Sequence, residues 1–380
     1  KDAPAPNLRL DVLVDILDRL ANNSVAYTEK PDFESFLGEM QNMYESKAGE
    51  RGIFSRVAAQ KIAARNGRRD PDQDFGTNPC SEIILRSNQF CNLSEIVVRP
   101  DDTLASLKSK AEMAAIIGTL QATLTDFRYL RNCWKKNTEE EALLGVSMTG
   151  IMDHYLLSKG ESKDLGKWLE EVRDVAVDTN KKWAEKLGIN QSAAITCVKP
   201  SGTVSQLVDS ASGIHPRFSK HYIRRVRSDN KDPLAVFMGQ SGFPVEQDVM
   251  SPSSAVFSFP VKAPESSVTV KQVGAMQQLE LWKAYQNHWC EHKPSITVYY
   301  TDNEFLQVAQ WIWENFDLCS GISLLPYSDH VYQQAPYEDI DAEKYDELVA
   351  AMPVGVDWND LEKYEEEDNT TGSQELACVG

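Results

Sequence analysis

Long amphipathic stretches separated by short apolar runs constrain the fold of this chain more than any other feature. Leu104 to Leu130 and Asp164 to Leu187 read as long helices, and Leu187-Gly188 offers the second a glycine C-cap. Leu10 to Leu20 repeats the pattern on a shorter scale, with apolar residues at 10, 13, 14, 16, 17 and 20. Between them lie apolar or β-branched runs of strand length: Ile83 to Leu85, Ala194 to Val198 and Ser295 to Tyr300. Helices of this size separating short buried strands predict an α/β protein with much parallel pairing. The Pro/Ser-rich stretch from Gly242 to Ser267 predicts an irregular excursion between the main elements.

Composition narrows the function. A chain of 380 residues, 42% hydrophobic and 25% charged, can bury a substantial core. No apolar run reaches the roughly eighteen residues of a membrane span, and Lys1 to Arg9 lacks the apolar core of a signal peptide. Seven scattered cysteines do not read as a secreted disulfide framework, so a reducing, cytoplasmic location is expected. A net charge of −18 disfavours direct DNA binding. That charge is uneven: Glu338 to Asp368 is densely acidic, whereas Arg217, Lys220, Arg224, Arg225 and Arg227 form a basic run. The run reads either as a solvated surface or as a field that attracts an anionic nucleotide.

The chemistry concentrates in Asn78-Pro79-Cys80-Ser81-Glu82, followed by Cys91-Asn92-Leu93-Ser94. In an extended segment, side chains at i, i+2 and i+4 share one face, which would hold an amide, a thiol and a carboxylate together. A carboxylate buried beside a thiol is costly unless it is paired or functional. The segment has no Cys-x-x-Cys and no nearby His, so zinc fits poorly and redox or radical chemistry fits better. Lys199-Pro200-Ser201-Gly202-Thr203-Val204-Ser205 has the makings of an anion nest, with a glycine, hydroxyls and successive N–H groups after a strand-like run.

The stretch "NPCSEIILRSNQFCNLSEI" resembles the active-site segment of ribonucleotide reductases, in particular the adenosylcobalamin-dependent (class II) enzymes that reduce ribonucleoside triphosphates. "NNSVAYTEKPDF", "SKAGERGIFSR", "KPSGTVSQL" and "CEHKPSITVYY" resemble further segments of the family, in the same order. The resemblance implies a ten-stranded α/β barrel of two half-barrels with a catalytic finger loop, of which this chain supplies the C-terminal part. It places barrel elements in residues 1–336 and an acidic segment with a mobile redox tail in 337–380.

By the same resemblance Cys80 is the thiyl-radical residue, Glu82 the general base and Asn78 a substrate-positioning amide. Cys91 is one member of the reducing cysteine pair, and Cys378, in "ELACVG", matches a tail cysteine that renews the pair by thiol–disulfide exchange. Pro200, Ser201, Gly202, Thr203, Val204 and Ser205 form the substrate-phosphate loop. The implied cofactor is adenosylcobalamin, and the implied partners are a ribonucleoside triphosphate and a thioredoxin-like reductant. No cysteine precedes Cys80, so the second member of the pair is expected on a separate N-terminal fragment of the same reductase. Cys133, Cys197, Cys290 and Cys319 read as structural thiols. His288 and His292 stand four apart but run into Pro294, and no metal is assigned. Tyr299-Tyr300 reads as barrel packing, because adjacent strand residues point to opposite faces. Two alternatives stay open: a class I catalytic subunit with a metal-bearing partner, and a non-catalytic nucleotide- or partner-binding fragment.

Overall fold

A computed structural model describes residues 24–47, 52–160, 162–327 and 333–365. Its strands are β1 (Ser24–Tyr27), β2 (Gly52–Ser55), β3 (Gly76–Thr77), β4 (Ile84–Leu85), β5 (Asn92–Val97) and β6 (Leu144–Thr149). They continue with β7 (His221–Asp229), β8 (Val245–Gln247), β9 (Ser254–Lys262), β10 (Thr297–Tyr300), β11 (Gly321–Pro326) and β12 (Tyr337–Asp339). The predicted helix Leu10–Leu20 lies outside the described residues.

The described residues form two compact units. The first runs to Pro216 and resumes over Gln272–Tyr327; the second takes Arg217–Lys271 and the described residues beyond Tyr327. This division differs from the expected boundary after residue 336. The reason is pairing: β12 adds antiparallel to β7, and β7 pairs along its length with β9, so the acidic C-terminal segment belongs with the 217–271 excursion. The excursion is also more regular than its Pro/Ser content predicts, since β8 and β9 form an antiparallel ladder inside it.

In the first unit the strands follow one path. β5 lies parallel to β6, from Asn92↔Leu144 to Val97↔Thr149. Val146 bridges in parallel to Thr196, and Val198 bridges in parallel to Pro294, just before β10. β10 is parallel to β11, β11 is antiparallel to β2, and β2 is parallel to β1. The path therefore contains a parallel run, one antiparallel junction and a second, shorter parallel run. It is open, because among the described residues β5 and β1 each have a neighbour on one side only. The expected ten-stranded barrel is not present as a closed sheet; closure would require partners for both of these edges.

Helices cover these strands. Leu104–Gln121 starts with a reciprocal capping box between Thr103 and Ser106. It is shorter than predicted: Thr123 turns its hydroxyl back onto Leu120 O and Thr125 bonds Glu139 instead of continuing the helix. Lys163–Leu187 ends as its sequence predicts, with Gly188 left-handed at φ 70. Behind the site, the indole of Trp289 donates to Cys197 O and that of Trp282 to Pro294 O, each at 2.8 Å. Two buried tryptophans thus set the spacing of the segments that carry Lys199 and Lys293.

Candidate active site

The short antiparallel hairpin β3–β4 closes a six-residue loop, Asn78 to Ile83, through the pairs Gly76↔Leu85 and Thr77↔Ile84. Its base is anchored by charge. Arg69 forms a buried two-pronged pair with Glu141, at 3.1 and 2.9 Å, and donates to Ile84 O at 2.9 Å. His292 accepts from the Ile84 N–H at 3.3 Å, while its Nε2 lies 2.9 Å from Leu144 O. Burial, reinforced by Arg69, pushes the His292 imidazole down to about 3, so it is a neutral spacer.

The loop is not extended. Ser81 N–H donates to Asn78 O at 2.8 Å, and Ser81 adopts φ 63, so Asn78 to Ser81 make a tight turn. This corrects the expectation that Asn78, Cys80 and Glu82 share one strand face. The turn leaves Cys80 exposed and carries Glu82 to 0% exposure. Asn78 Oδ1 accepts from Ile83 N–H at 2.9 Å, and its Nδ2 has no hydrogen bond among the described residues.

Glu82 is the electrostatic centre of the site. Lys199 Nζ donates to its Oε1 at 3.0 Å, whereas Oε2 is buried without a partner. Partial burial works against the Lys199 ammonium, but the Glu82 carboxylate outweighs it and holds the lysine above its ordinary pKa. On the other side of the turn, Lys293 is 1% exposed and its ammonium donates to the carbonyl and hydroxyl of Ser81.

Cys91 enters β5 half-buried; burial and then the Glu82 charge push its thiol well above the usual range. Gly145 on the neighbouring β6 makes room, since a Cβ there would stand 2.5 Å from Leu93 Cδ2 and 3.3 Å from Cys91 Sγ. Cys197, Cys290 and Cys319 are buried, with thiols raised by burial, while Cys133 is half-buried on the helix Asn132–Glu141. Cys378 lies outside the described residues.

The loop after Lys199 forms the short helix Gly202–Leu207, capped by Ser201. Ser201 accepts from Ser205 N–H at 3.1 Å and donates to Glu95 at 2.8 Å, so its hydroxyl is committed within the protein. The Ser205 hydroxyl is likewise turned onto Ser201 O. Pro200 is half-buried, and Gly202, Thr203 and Val204 are exposed, with the unpaired N–H groups of a first helical turn. The backbone, more than the hydroxyls, is what this loop presents.

The other features divide cleanly. His288 pairs with Glu170 at 2.8 Å, apart from the buried His292. No group of three or more His, Cys, Asp or Glu placed to hold a metal occurs among the described residues, and no helix among them is long and apolar enough to cross a membrane. Tyr300 is buried with its hydroxyl unpartnered, and burial raises it to about 12. In the second unit the basic run is largely paired off, as Arg225 meets Glu338 and Arg227 meets Asp248. Sequence reasoning did not single out Lys293, or Lys199 as the partner of Glu82. Both stand inside recognised segments, but their roles depend on contacts across more than a hundred residues.

No family model matches the chain. Curated relatives do. Adenosylcobalamin-dependent ribonucleoside-triphosphate reductase from Lacticaseibacillus paracasei is 28% identical over 365 residues, covering 87% of this chain and 48% of the relative. The enzyme of the same name from Euglena gracilis is 29% identical, covering 87% of this chain and 46% of its own. That from Lactobacillus gasseri is 30% identical, covering 71% and 40%. The chain thus spans about half the length of the relatives it matches. Among solved structures, a B12-dependent (class II) ribonucleotide reductase superposes with a TM-score of 0.72 at 25% identity, over 94% of this chain and 52% of that one. The α subunit of the Actinobacillus ureae class Id reductase shares the fold at a TM-score of 0.54 and 11% identity, over 80% and 65%. In sequence and in fold, this chain is similar to the adenosylcobalamin-dependent (class II) ribonucleoside-triphosphate reductases.

Proposed function

We propose that this chain carries the catalytic turn of a reductase that converts ribonucleoside triphosphates to 2′-deoxyribonucleotides. The observation that carries the reading is the buried, unpartnered Oε2 of Glu82 two residues from the exposed thiol of Cys80. A buried carboxylate oxygen without a donor is destabilising on its own, and a substrate hydroxyl would supply the missing hydrogen bond.

In this reading Cys80 exchanges a hydrogen atom with the substrate 3′ carbon, and Glu82 Oε2 takes the 3′-hydroxyl proton. Lys199 occupies the opposite oxygen and so leaves a single one for substrate. The unused Nδ2 of Asn78 is a donor for a ribose hydroxyl. The exposed N–H groups of Gly202, Thr203 and Val204 face phosphate, with Pro200, Ser201 and Ser205 shaping the loop. Loss of the 2′-hydroxyl as water is balanced by oxidation of two thiols to a disulfide. Cys91 supplies one, and a cysteine on an N-terminal fragment of the same reductase supplies the other. Cys378 and a thioredoxin-like protein return the pair to thiols.

The exposed Cys80 thiol above a sealed Glu82 fits a radical delivered from outside the turn. Adenosylcobalamin, when bound, supplies that radical chemistry.

The test is deoxynucleotide formation by natively purified protein with its copurifying partners. It uses a ribonucleoside triphosphate and dithiothreitol, with and without adenosylcobalamin, for the unmodified protein and Cys80→Ser. Cobalamin-dependent product that disappears in the variant, with nucleotide affinity kept, supports the reading. Equal product in the variant, or none from either protein, overturns it.

A further inference from the structure

The segment that begins at Lys293 grips three consecutive residues of the Cys80 turn. Lys293 N–H donates to Glu82 O at 3.2 Å, and Ser295 Oγ donates to Cys80 O at 2.5 Å. Between them the Lys293 ammonium donates to Ser81 O and, at 3.2 Å, to Ser81 Oγ. Ser81 holds φ 63, a region that residues with a side chain seldom occupy unless their surroundings impose it. Space is reserved for the contact: a Cβ on Gly321 would lie 2.8 Å from Lys293 Nζ and 2.7 Å from Ser81 Oγ. The Glu82 carboxylate is meanwhile paired with Lys199. A fully buried ammonium held by a carbonyl and a hydroxyl is costly to keep, and its one evident product is the shape of the turn.

We propose that Lys293 is the positioning residue of the Cys80 turn. Its ammonium, clamped on Ser81, sets where the Cys80 sulfur and the Glu82 carboxylate stand. The inference rests on the reading above for the roles of Cys80 and Glu82, but the clamp itself is independent of them.

The groups that act on Lys293 are Glu82 and Cys80 from the turn, Cys290 after the helix Ala275–His288, and Cys319 ahead of β11. Burial lowers Lys293 to about 8, with those neighbours pulling the other way. Cys290 and Cys319 remain neutral thiols at that pH, because burial raises both, Cys319 to about 12. The clamp is therefore charged below about pH 8 and neutral above it, where the cost of burying the charge is relieved.

Pulsed amide exchange of the segment 76–85, corrected for intrinsic rates, reads this directly in the copurified protein. Opening the turn to water returns Lys293 to its ordinary pKa, so between about pH 6.5 and 9.5 protection in the unmodified protein should rise roughly tenfold or more. Lys293→Arg, which stays charged, should hold protection flat across that range. Lys293→Met should show protection below that of the unmodified protein at every pH and without its pH dependence, and should lower kcat about tenfold with little change in KM. Protection indifferent to pH and to both substitutions overturns the proposal, whatever happens to turnover. Should protection behave as expected while no protein in the series makes deoxynucleotide, the clamp stands and the reductase reading falls.

Discussion

Charged side chains on β7 of the second unit and at the Cys80 turn of the first end in different states. On β7 in the second unit, Arg225 meets Glu338 and Ala335 O, Arg227 meets Asp248 and Gln334 O, and Arg224 lies 4.5 Å over the Tyr337 ring. Arg224 and Arg225 each leave Nε idle, yet Arg225 and Arg227 each meet a carboxylate. At the Cys80 turn, Glu82 keeps one carboxylate oxygen buried with no donor, and Lys293 is buried on neutral oxygens. Matched charge holds an element in place; mismatched charge is retained where something else is to be bound or positioned. The same residue types that invite a nucleotide-attracting reading in 217–227 are consumed there by the fold.

The comparison breaks most sharply at the thiol. Cys80→Ser should lower deoxynucleotide formation by on the order of a thousandfold or more while nucleotide affinity, measured by equilibrium binding, persists. Glu82→Gln should follow, with a loss of about a hundredfold or more if Oε2 takes a proton during turnover; a loss below tenfold would remove it from the proton path.

Lys199→Met tests the pairing rather than the chemistry. It leaves the buried Glu82 charge without its cation and should destabilise the protein by about 3 kcal/mol in denaturant unfolding. Combining it with Glu82→Gln should recover most of that loss, and purely additive effects would argue that the two side chains act independently.

Lys293 makes a pH prediction whose sign is opposite to that of a surface lysine gaining a partner. Its folded-state pKa is depressed from 10.5 to about 8, so between those values the unfolded chain binds more protons. Its contribution to stability therefore rises with pH across that window and is lost as pH falls through about 8. The change is about 3 kcal/mol at most, and the unfolding free energy of Lys293→Met should lack this part of the slope.

The smallest effect belongs to the second unit. Arg225→Ala should cost about 1 kcal/mol or less, as partly exposed ion pairs do, and leave turnover unchanged. A large loss of turnover in that variant would erase the contrast between the units.

Local patterns were legible where local physics decides. The Gly188 cap and the strand at Ser295 to Tyr300 stand in the fold much as the sequence spells them. The Asn78–Glu82 motif could be located but not shaped. Alternation predicts one shared face, and a turn with Ser81 at φ 63 replaces it because Lys293, Ser295 and Lys199 hold it from distant parts of the chain. The helix from Leu104 was legible at its capped start, but its C-terminal end was not, since Thr123 and Thr125 found partners that a periodicity count does not see.

By itself, the sequence determined which residue types meet at the site, the α/β character of the fold and the family it resembles, all of which depend on spacing along the chain. Tertiary structure alone decided that Cys80 is exposed while Glu82 is sealed, which oxygen of Glu82 stays free, and that Lys293 sits beneath the turn. Burial and pairing across more than a hundred residues settle those points. They are energies of desolvation and contact that no local stretch of sequence contains.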